Sequence, residues 1–176
     1  LENTELGGMN VTIPYKKTVM KACVRLSDVA AKMGAVNTLV KREDGWHGYN
    51  TDYYGFCELT VSSGIKVADK KCLVLGSGGA SNTVCHALKD LGASEVIVIS
   101  RSGENNYDNI ARHKDARIIV NTTPVGMYPN NGSAAVDLKL FTECEGVLDV
   151  IYNPARTALL LQAEELSIPH AGGLYM

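Results

Sequence analysis

The sequence lacks the residue patterns that mark several large classes of protein. Its five cysteines contain no CxxC pair and its four histidines show no HxxxH or HExxH spacing, so neither a disulfide framework nor a metal site is indicated. No GxxxxGK[ST] motif is present, which argues against a nucleotide triphosphatase. The longest apolar runs are far shorter than the roughly 18 residues that a membrane span needs.

An excess of one charge is also lacking. The formal net charge is -2 and no run of like charges occurs, so we expect neither nucleic acid nor a membrane surface as a partner. The chain opens on Leu1 and Glu2 without the apolar segment of a secretory signal, and we expect a cytoplasmic protein. With 176 residues, 45% of them hydrophobic, the composition is that of one globular domain or two small ones.

Two regions with different residue patterns follow each other along the chain. Up to residue 64, short apolar segments predict brief helices at "TVMKACVRL" and "SDVAAKMG", with Ser27 as the N-cap of the second. A hairpin turning at Asp44-Gly45 and a helix ended by Gly64 are predicted to follow. From residue 65, near-continuous apolar strands alternate with helices, the pattern of a parallel sheet covered on both faces. The predicted fold class is α/β, with a Rossmann-like doubly wound parallel sheet domain over 65–171 and a smaller α/β domain over 1–64.

A glycine-rich segment lies between the first of these strands and its helix. In "VLGSGGAS", residues 74–81, Gly76 allows a tight turn and Gly78 lets a pyrophosphate approach the backbone at the helix N-terminus. Ser81 takes the place of the third glycine of GxGxxG. The segment predicts a dinucleotide site, and the cofactor-binding candidates here are Gly76, Ser77, Gly78, Gly79, Ala80 and Ser81.

The next strand ends in Ser100, Arg101 and Ser102, where an NAD-binding protein would carry an acidic residue. A carboxylate there would repel a 2′-phosphate, whereas a guanidinium can bind one through two hydrogen bonds. The triplet therefore favours NADP as the cofactor. The alternative is that Arg101 is an ordinary solvated charge.

Three segments place asparagine and threonine where hydrophobic alternation predicts apolar residues: "GGMNVTIPYKK", "GAVNT" and "YNTD". Such side chains suit a polyhydroxylated ligand. Lys16 and Asp52 are the opposite charges among them, and a lysine beside a carboxylate can protonate an oxygen that gains hydride. The two residues form a candidate proton-transfer pair, although spacing alone favours a structural salt bridge equally.

The same segments carry a resemblance to a known family. "GMNVTIPYKK", "GAVNTLV", "GYNTDYYGF", "LGSGGAS", "NTTPVGMYP", "DVIYNPARTALL" and "GGLYM" resemble the motifs of the shikimate dehydrogenase family in order and spacing. The resemblance implies an oxidoreductase that reversibly reduces 3-dehydroshikimate to shikimate with NADPH, on the route to chorismate and the aromatic amino acids.

The resemblance also implies roles for single residues. Lys16 matches the family's catalytic lysine and Asp52 its partner. Residues matching substrate-binding positions are Asn37 and Thr51, with Asn10 and Thr12 in the same pocket wall and Tyr152 near the substrate. Val150 and Gly173 match positions that line the nicotinamide, and Thr122 lies in a loop, residues 121–127, that borders the cofactor.

Departures from the family pattern leave alternatives open. Ser100 replaces the usual asparagine and no second base follows soon after Arg101, so a quinate/shikimate dehydrogenase using NAD or both cofactors is a second reading. A non-catalytic ligand-binding homologue is a third, but it would be expected to lose the lysine–aspartate pair. The family's first strand-and-helix segment and its returning helix lie outside the sequence, and residues 172–176 are expected to begin that return. A homodimer is left open.

Overall fold

The computed structural model describes residues 5–12 and 14–176. It divides into two compact units, Leu1–Tyr54 and Gly55–Met176. The division falls inside the helix Asp52–Ser62, earlier than the predicted boundary at residue 64. Residues 172–176 cluster with the second unit, so their expected return to the first remains a prediction.

The first unit is a small mixed sheet with one helix against it. Its strands are β1 (Gly8–Asn10), β2 (Arg25–Leu26), β3 (Thr38–Arg42) and β4 (Gly45–Tyr49), in the order β1-β3-β4-β2. Strands β3 and β4 form the predicted antiparallel hairpin. Helix α1 (Asp28–Met33) begins where the Ser27 hydroxyl accepts from Ala30 N and ends at Gly34, whose φ is 61°. The core is formed by Ala30, Val36, Leu39 and the single tryptophan, Trp46, which is 5% exposed.

The sequence predicted a brief helix over the whole segment "TVMKACVRL", and this prediction is wrong. The segment forms a 3-10 helix at Thr18–Ala22, and the chain then extends into β2, which pairs in parallel with β4. Gly48 permits this close packing, because a Cβ there would lie 2.8 Å from Leu26 Cδ2 and 2.7 Å from Val36 Cγ2. Pairing with a distant strand thus overrides the local helical preference.

The second unit is built on a parallel sheet. After helix α2 (Asp52–Ser62) come β5 (Lys71–Leu75), α3 (Gly79–Asp90), β6 (Glu95–Ile99), β7 (Ile118–Asn121), β8 (Gly146–Asp149), α4 (Ala158–Glu165) and β9 (His170–Gly172). Shorter 3-10 helices occupy Ile110–His113, Leu138–Leu140 and Gly173–Tyr175. All neighbouring strands are parallel, in the order β6-β5-β7-β8-β9. The α/β class with a parallel Rossmann-like sheet is confirmed.

Two details of this unit differ from the sequence-based expectation. Helix α4 begins at Ala158 rather than at Pro154, because the Thr157 hydroxyl accepts from Leu160 N and caps the helix there. Strand β9 was not predicted, since its three residues show no apolar run. No helix among residues 5–12 and 14–176 is long and apolar enough to cross a membrane.

Candidate active site

Lys16 and Asp52, 36 residues apart in the chain, form an ion pair in the first unit. Lys16 Nζ donates to Asp52 Oδ2 at 2.7 Å, and the two side chains are 24% and 25% exposed. Asp52 is the first residue of α2, where the helix dipole favours a negative charge. The pair is therefore partly shielded from water and still accessible to a ligand.

The backbone on both sides of Lys16 is fixed by hydrogen bonds. Tyr15 N donates to Thr12 O at 2.9 Å, which closes a turn around the proline. Val36 N donates to Lys16 O at 2.8 Å and ties the lysine to the segment that leads into β3. The turn thus presents Lys16 from a position set by the sheet.

Asn37 connects that segment to the start of α2. The residue is 9% exposed. Its Oδ1 accepts from Thr51 N at 2.9 Å and from Thr38 Oγ1 at 3.0 Å. Its Nδ2 donates to Thr51 Oγ1 at 2.9 Å and to Asp52 Oδ1 at 2.8 Å. Asn37 therefore contacts the carboxylate oxygen that Lys16 does not use.

Asn50, which the sequence analysis did not single out, braces the same two segments. Its Nδ2 donates to Ala35 O at 3.1 Å, and its Oδ1 accepts from Tyr53 N at 3.3 Å in the first turn of α2. Both partners are backbone groups. Only its place in "YNTD", where a buried position holds an amide, could have signalled this role.

The other substrate-binding candidates of the first unit are exposed. Asn10 ends β1 and pairs with Thr38 in register, while Thr12 follows it after one residue. The Thr51 hydroxyl accepts from Asn37 and can still donate its own hydrogen to a ligand. Tyr152, the remaining candidate, is an exposed residue of the second unit. Their substrate contacts remain predictions.

The glycines of the predicted dinucleotide loop have two different environments. Gly76 has φ of 102°, and a Cβ there would lie 2.9 Å from Thr123 Cγ2, so the fold itself requires glycine. Gly78 and Gly79 would meet nothing within 4 Å, and Gly78 has an ordinary extended backbone. The protein's own packing does not require glycine at these two positions. Open backbone at the start of a 12-residue helix fits a pyrophosphate.

The remaining cofactor candidates follow the ends of the other parallel strands. Ser100 comes after β6, Thr122 after β7, Val150 after β8 and Gly173 after β9. Thr122 Oγ1 donates to Leu75 O at 2.7 Å, beside the glycine loop, and Gly173 packs on the Val150 carbonyl too closely for any Cβ. The structure thus brings these candidates to one edge of the sheet.

Three further candidates differ in exposure. Arg101 and Ser102 are exposed after β6, whereas Ser81 is buried with its hydroxyl 4.0 Å from Cys85 Sγ. The Ser81 side chain therefore takes part in helix packing, the role that the third glycine of the motif has.

A buried carboxylate at this edge was missed by the sequence analysis. Asp149 is 0% exposed and accepts from Ile151 N at 3.0 Å, Asn121 Nδ2 at 3.1 Å and Thr157 Oγ1 at 2.8 Å. Burial raises its pKa, and the three hydrogen bonds act in the opposite direction. Asp149 holds together the loops after β7 and β8. Its one sequence signal is an acidic residue ending the apolar run "GVLD".

Comparison with known proteins identifies the family. The model of the shikimate dehydrogenase substrate-binding domain matches residues 1–39. A shikimate dehydrogenase (NADP(+)) of Clostridium perfringens is 35% identical over 182 residues, which cover 96% of this chain and 67% of the relative. The chain belongs to the shikimate dehydrogenase family.

Solved structures extend this result. A shikimate 5-dehydrogenase from Thermus thermophilus, in complex with NADP(H) and shikimate, has a TM-score of 0.86 and 30% identity over 97% of this chain and 68% of its own. A quinate dehydrogenase from Corynebacterium glutamicum, in complex with NAD, has a TM-score of 0.87 and 28% identity over 96% of this chain and 67% of its own. The chain spans about two thirds of the length of its relatives. The predicted membership in this family of NADP-dependent oxidoreductases is confirmed.

Proposed function

We propose that the protein catalyses the NADP-dependent, reversible reduction of 3-dehydroshikimate to shikimate. The main observation in support of this proposal is the partly exposed Lys16–Asp52 ion pair. It lies among asparagine and threonine side chains that suit a polyhydroxylated substrate, in a chain whose relatives include NADP(+)-dependent shikimate dehydrogenases.

The residues of the second unit fit a dinucleotide. Gly78 and Gly79 leave open backbone at the N-terminus of α3 for the pyrophosphate, and exposed Arg101 would bind a 2′-phosphate. Val150 and Gly173, at the ends of β8 and β9, would border the nicotinamide. When bound, NADPH supplies the hydride that reduces the substrate ketone.

Lys16 has the role of proton donor in the reduction. Its Nζ donates a proton to the ketone oxygen, which becomes a hydroxyl, and takes that proton back in the oxidation. Asp52 accepts a hydrogen bond from Nζ and so fixes the direction in which the ammonium points. The side chains proposed to bind the substrate are those of Asn10, Thr12, Asn37, Thr51 and Tyr152.

A matched pair of lysine variants tests this role. Lys16→Ala should lower kcat for shikimate oxidation by about 10²- to 10⁴-fold, the usual contribution of a positioned acid or base. Lys17→Ala removes the exposed neighbouring charge and should leave the rate near that of the unmutated protein. Circular dichroism checks that both fold. An unchanged rate for Lys16→Ala would remove the lysine from the mechanism.

A quinate/shikimate dehydrogenase with NAD or dual cofactor use is the second candidate. It is favoured by Ser100 in the 2′-phosphate segment and by the similarity to an NAD-bound quinate dehydrogenase. Steady-state kinetics of the protein at its full natural length, with NADP or NAD and with shikimate or quinate, separates the two. The proposed function predicts the highest kcat/KM for the NADP–shikimate pair, with the NADP preference reduced in Arg101→Ala.

One other functional interpretation has less support. A non-catalytic ligand-binding homologue would not need the Lys16–Asp52 pair, which this chain keeps. A cytoplasmic location and a homodimer remain predictions from the sequence.

A further inference from the structure

We propose that Asp149 is a positioning residue that fixes the two loops expected to border the nicotinamide of NADP. One loop is residues 121–127 at the end of β7, and the other begins at Val150 after β8. The inference rests on the proposed function, because it assigns a buried carboxylate a part in the same reaction. Neither the sequence motifs nor the family resemblance gave this residue a role.

The Asp149 carboxylate joins three segments of the chain. The residue is 0% exposed. Its Oδ1 accepts from Ile151 N at 3.0 Å and from Asn121 Nδ2 at 3.1 Å, and its Oδ2 accepts from Thr157 Oγ1 at 2.8 Å. These donors lie in the loop after β8, at the end of β7 and at the N-cap of α4. Because Asp149 has no access to solvent, its effect on a bound cofactor has to pass through these groups.

Asn121 extends this connection into the loop after β7. Its Nδ2 donates to Asp149 Oδ1, and its Oδ1 accepts from Thr123 N at 3.0 Å and from Thr123 Oγ1 at 2.7 Å. Val125 N donates in turn to Thr123 Oγ1 at 3.2 Å. A carboxylate can only accept, so the amide nitrogen of Asn121 has to face Asp149. The carboxylate thus orients the amide that holds the first residues of this loop.

Ile151 connects Asp149 to the two nicotinamide candidates. Its N–H donates to the carboxylate, and its carbonyl accepts from Gly173 N at 3.0 Å. The preceding residue, Val150, donates from its N to Asn121 O at 3.1 Å. An Ile151 peptide released from the carboxylate would therefore shift both Val150 and Gly173. Hydride transfer depends on the alignment of the nicotinamide ring, and small losses of alignment can cost about 10²-fold in rate.

The glycine turn after β5, by contrast, is held by other groups. Gly76 N donates to Ile99 O at 2.8 Å. Thr122 donates to Leu75 O from its N at 2.9 Å and from its Oγ1 at 2.7 Å. These bonds join the end of β5 to the ends of β6 and β7, beside the site proposed for the pyrophosphate. Removing the Asp149 carboxylate should therefore disturb the nicotinamide end of the cofactor site and leave the adenine end in place.

The first test compares two substitutions in the protein at its full natural length. Asp149→Ala removes the acceptor of all three donors. Asp149→Asn keeps an oxygen for Ile151 and Asn121, and the Thr157 hydroxyl can turn to accept from the new amide. With NADP and shikimate both saturating, kcat for shikimate oxidation should fall by about 10- to 100-fold in Asp149→Ala and by less than about 5-fold in Asp149→Asn.

Two further measurements do not involve the reaction. Adenosine 2′,5′-bisphosphate has the adenine end of NADP with its 2′-phosphate, and calorimetric titration gives its dissociation constant. That constant should stay within about 2-fold of the unmutated value in both variants, because other groups hold the glycine turn. Hydrogen exchange without cofactor should be faster at the Ile151 and Thr123 amides in Asp149→Ala, and much less so in Asp149→Asn.

Gln162→Ala is the control for lost stability. Gln162 lies in α4, where its side chain accepts from Leu138 N at 2.9 Å and donates to Val136 O at 3.4 Å. Both partners belong to the same unit as Asp149 but lie outside the two loops. Urea denaturation identifies conditions in which every variant is fully folded, and kcat is compared there. If Asp149→Ala does not fold, Asp149→Ser, which keeps one short acceptor, replaces it.

Three results would overturn the inference. A kcat for Asp149→Ala within about 3-fold of the unmutated value, or a loss that Gln162→Ala reproduces, would make the role of Asp149 structural only. Binding of adenosine 2′,5′-bisphosphate that weakens in step with kcat would show that the whole cofactor site is disturbed. Equal losses in Asp149→Asn and Asp149→Ala would contradict positioning through hydrogen bonds.

Failure of the proposed function would give a different pattern. An unmutated protein that binds NADP but does not oxidise shikimate would overturn that function, and with it the part of Asp149 in the reaction. The exchange rates at Ile151 and Thr123 would still decide whether Asp149 fixes the two loops.

Discussion

At the amino edge of the five-stranded sheet, Lys71 Nζ lies 2.8 Å from Asp115 Oδ1, and Glu145 pairs with both Lys70 and Arg117. At the opposite edge, the strands lead into glycines, hydroxyls and amides, and the carboxylate of Asp149 is held by neutral donors alone among its described partners. The side chains of Asp115 and Glu145 are 56% and 36% exposed, whereas Asp149 is fully buried.

The two edges should differ in how well they tolerate substitution, because one is joined by exposed ion pairs and the other by buried hydrogen bonds. Exposed ion pairs join neighbouring strands and tolerate change, because water replaces a lost partner. Buried hydrogen bonds fix the positions of loops, but they leave costly unpaired groups when one partner is removed. The carboxyl edge is therefore expected to be the more sensitive of the two to substitution.

The largest effect should come from Asp149. Asp149→Ala leaves Ile151 N, Asn121 Nδ2 and Thr157 Oγ1 without their buried acceptor, and should lower the free energy of unfolding by about 2 to 4 kcal/mol. Glu145→Ala at the amino edge should have a clearly smaller effect. Urea denaturation of both variants measures the difference. Equal losses would show that the two edges are not distinct in this respect.

Two glycine substitutions at the carboxyl edge distinguish an effect on stability from an effect on NADP binding. Gly76→Ala places a side chain at φ of 102° against Thr123 and should cost about 1 to 3 kcal/mol of stability. Gly78→Ala meets nothing within 4 Å and should change stability by less than about 0.5 kcal/mol while weakening NADP binding. Calorimetric titration with NADP and urea denaturation give the two quantities. A Gly78→Ala variant with unchanged NADP affinity would argue against the pyrophosphate site.

The smallest effect is the pH dependence of stability, which should have opposite signs at the two edges. Burial raises the pKa of Asp149 in the folded protein, so its ionisation opposes folding, and acidification through that pKa towards the ordinary value of 3.8 relieves the cost. The hydrogen bond from Lys70 lowers the pKa of Glu145, so its contribution is present above the ordinary value of 4.5 and is lost as the pH falls through the folded-state pKa.

Isosteric variants isolate each contribution. As the pH falls from neutrality to about 3, the unmutated protein should gain stability relative to Asp149→Asn and lose it relative to Glu145→Gln. Urea denaturation at a series of pH values measures both differences. The same sign in the two comparisons would contradict the assignment of the pKa shifts.

Features set by local chemistry could be predicted from the sequence. The Ser27 cap, the hairpin at Asp44-Gly45 and the glycine loop after β5 each depend on neighbouring residues, and each is present. Lys16 and Asp52 were predicted as a pair from their motifs, and they are in contact.

Features that depend on distant partners could not be predicted. Strand β2 has two residues, too few for a periodic pattern, and exists because β4 pairs with it. In the sequence, Asp149 is an ordinary polar residue at the end of a strand. Its structural role depends on hydrogen bonds from Asn121 and Thr157, which the sequence does not show. The hydrogen bonds of the Asn37 amide are a further example, because they need residues 51 and 52 to meet residue 37 in the fold.

The single tryptophan gives the molecule a built-in spectroscopic probe. Trp46 lies in the core of the first unit, and the Lys41 ammonium is 5.2 Å from the centre of its ring. Its fluorescence therefore reports on the unit that holds Lys16 and Asp52, whereas far-ultraviolet dichroism is weighted towards the longer helices α2 and α3. A chemical unfolding curve followed by both signals would show whether the two units lose their structure together or in succession.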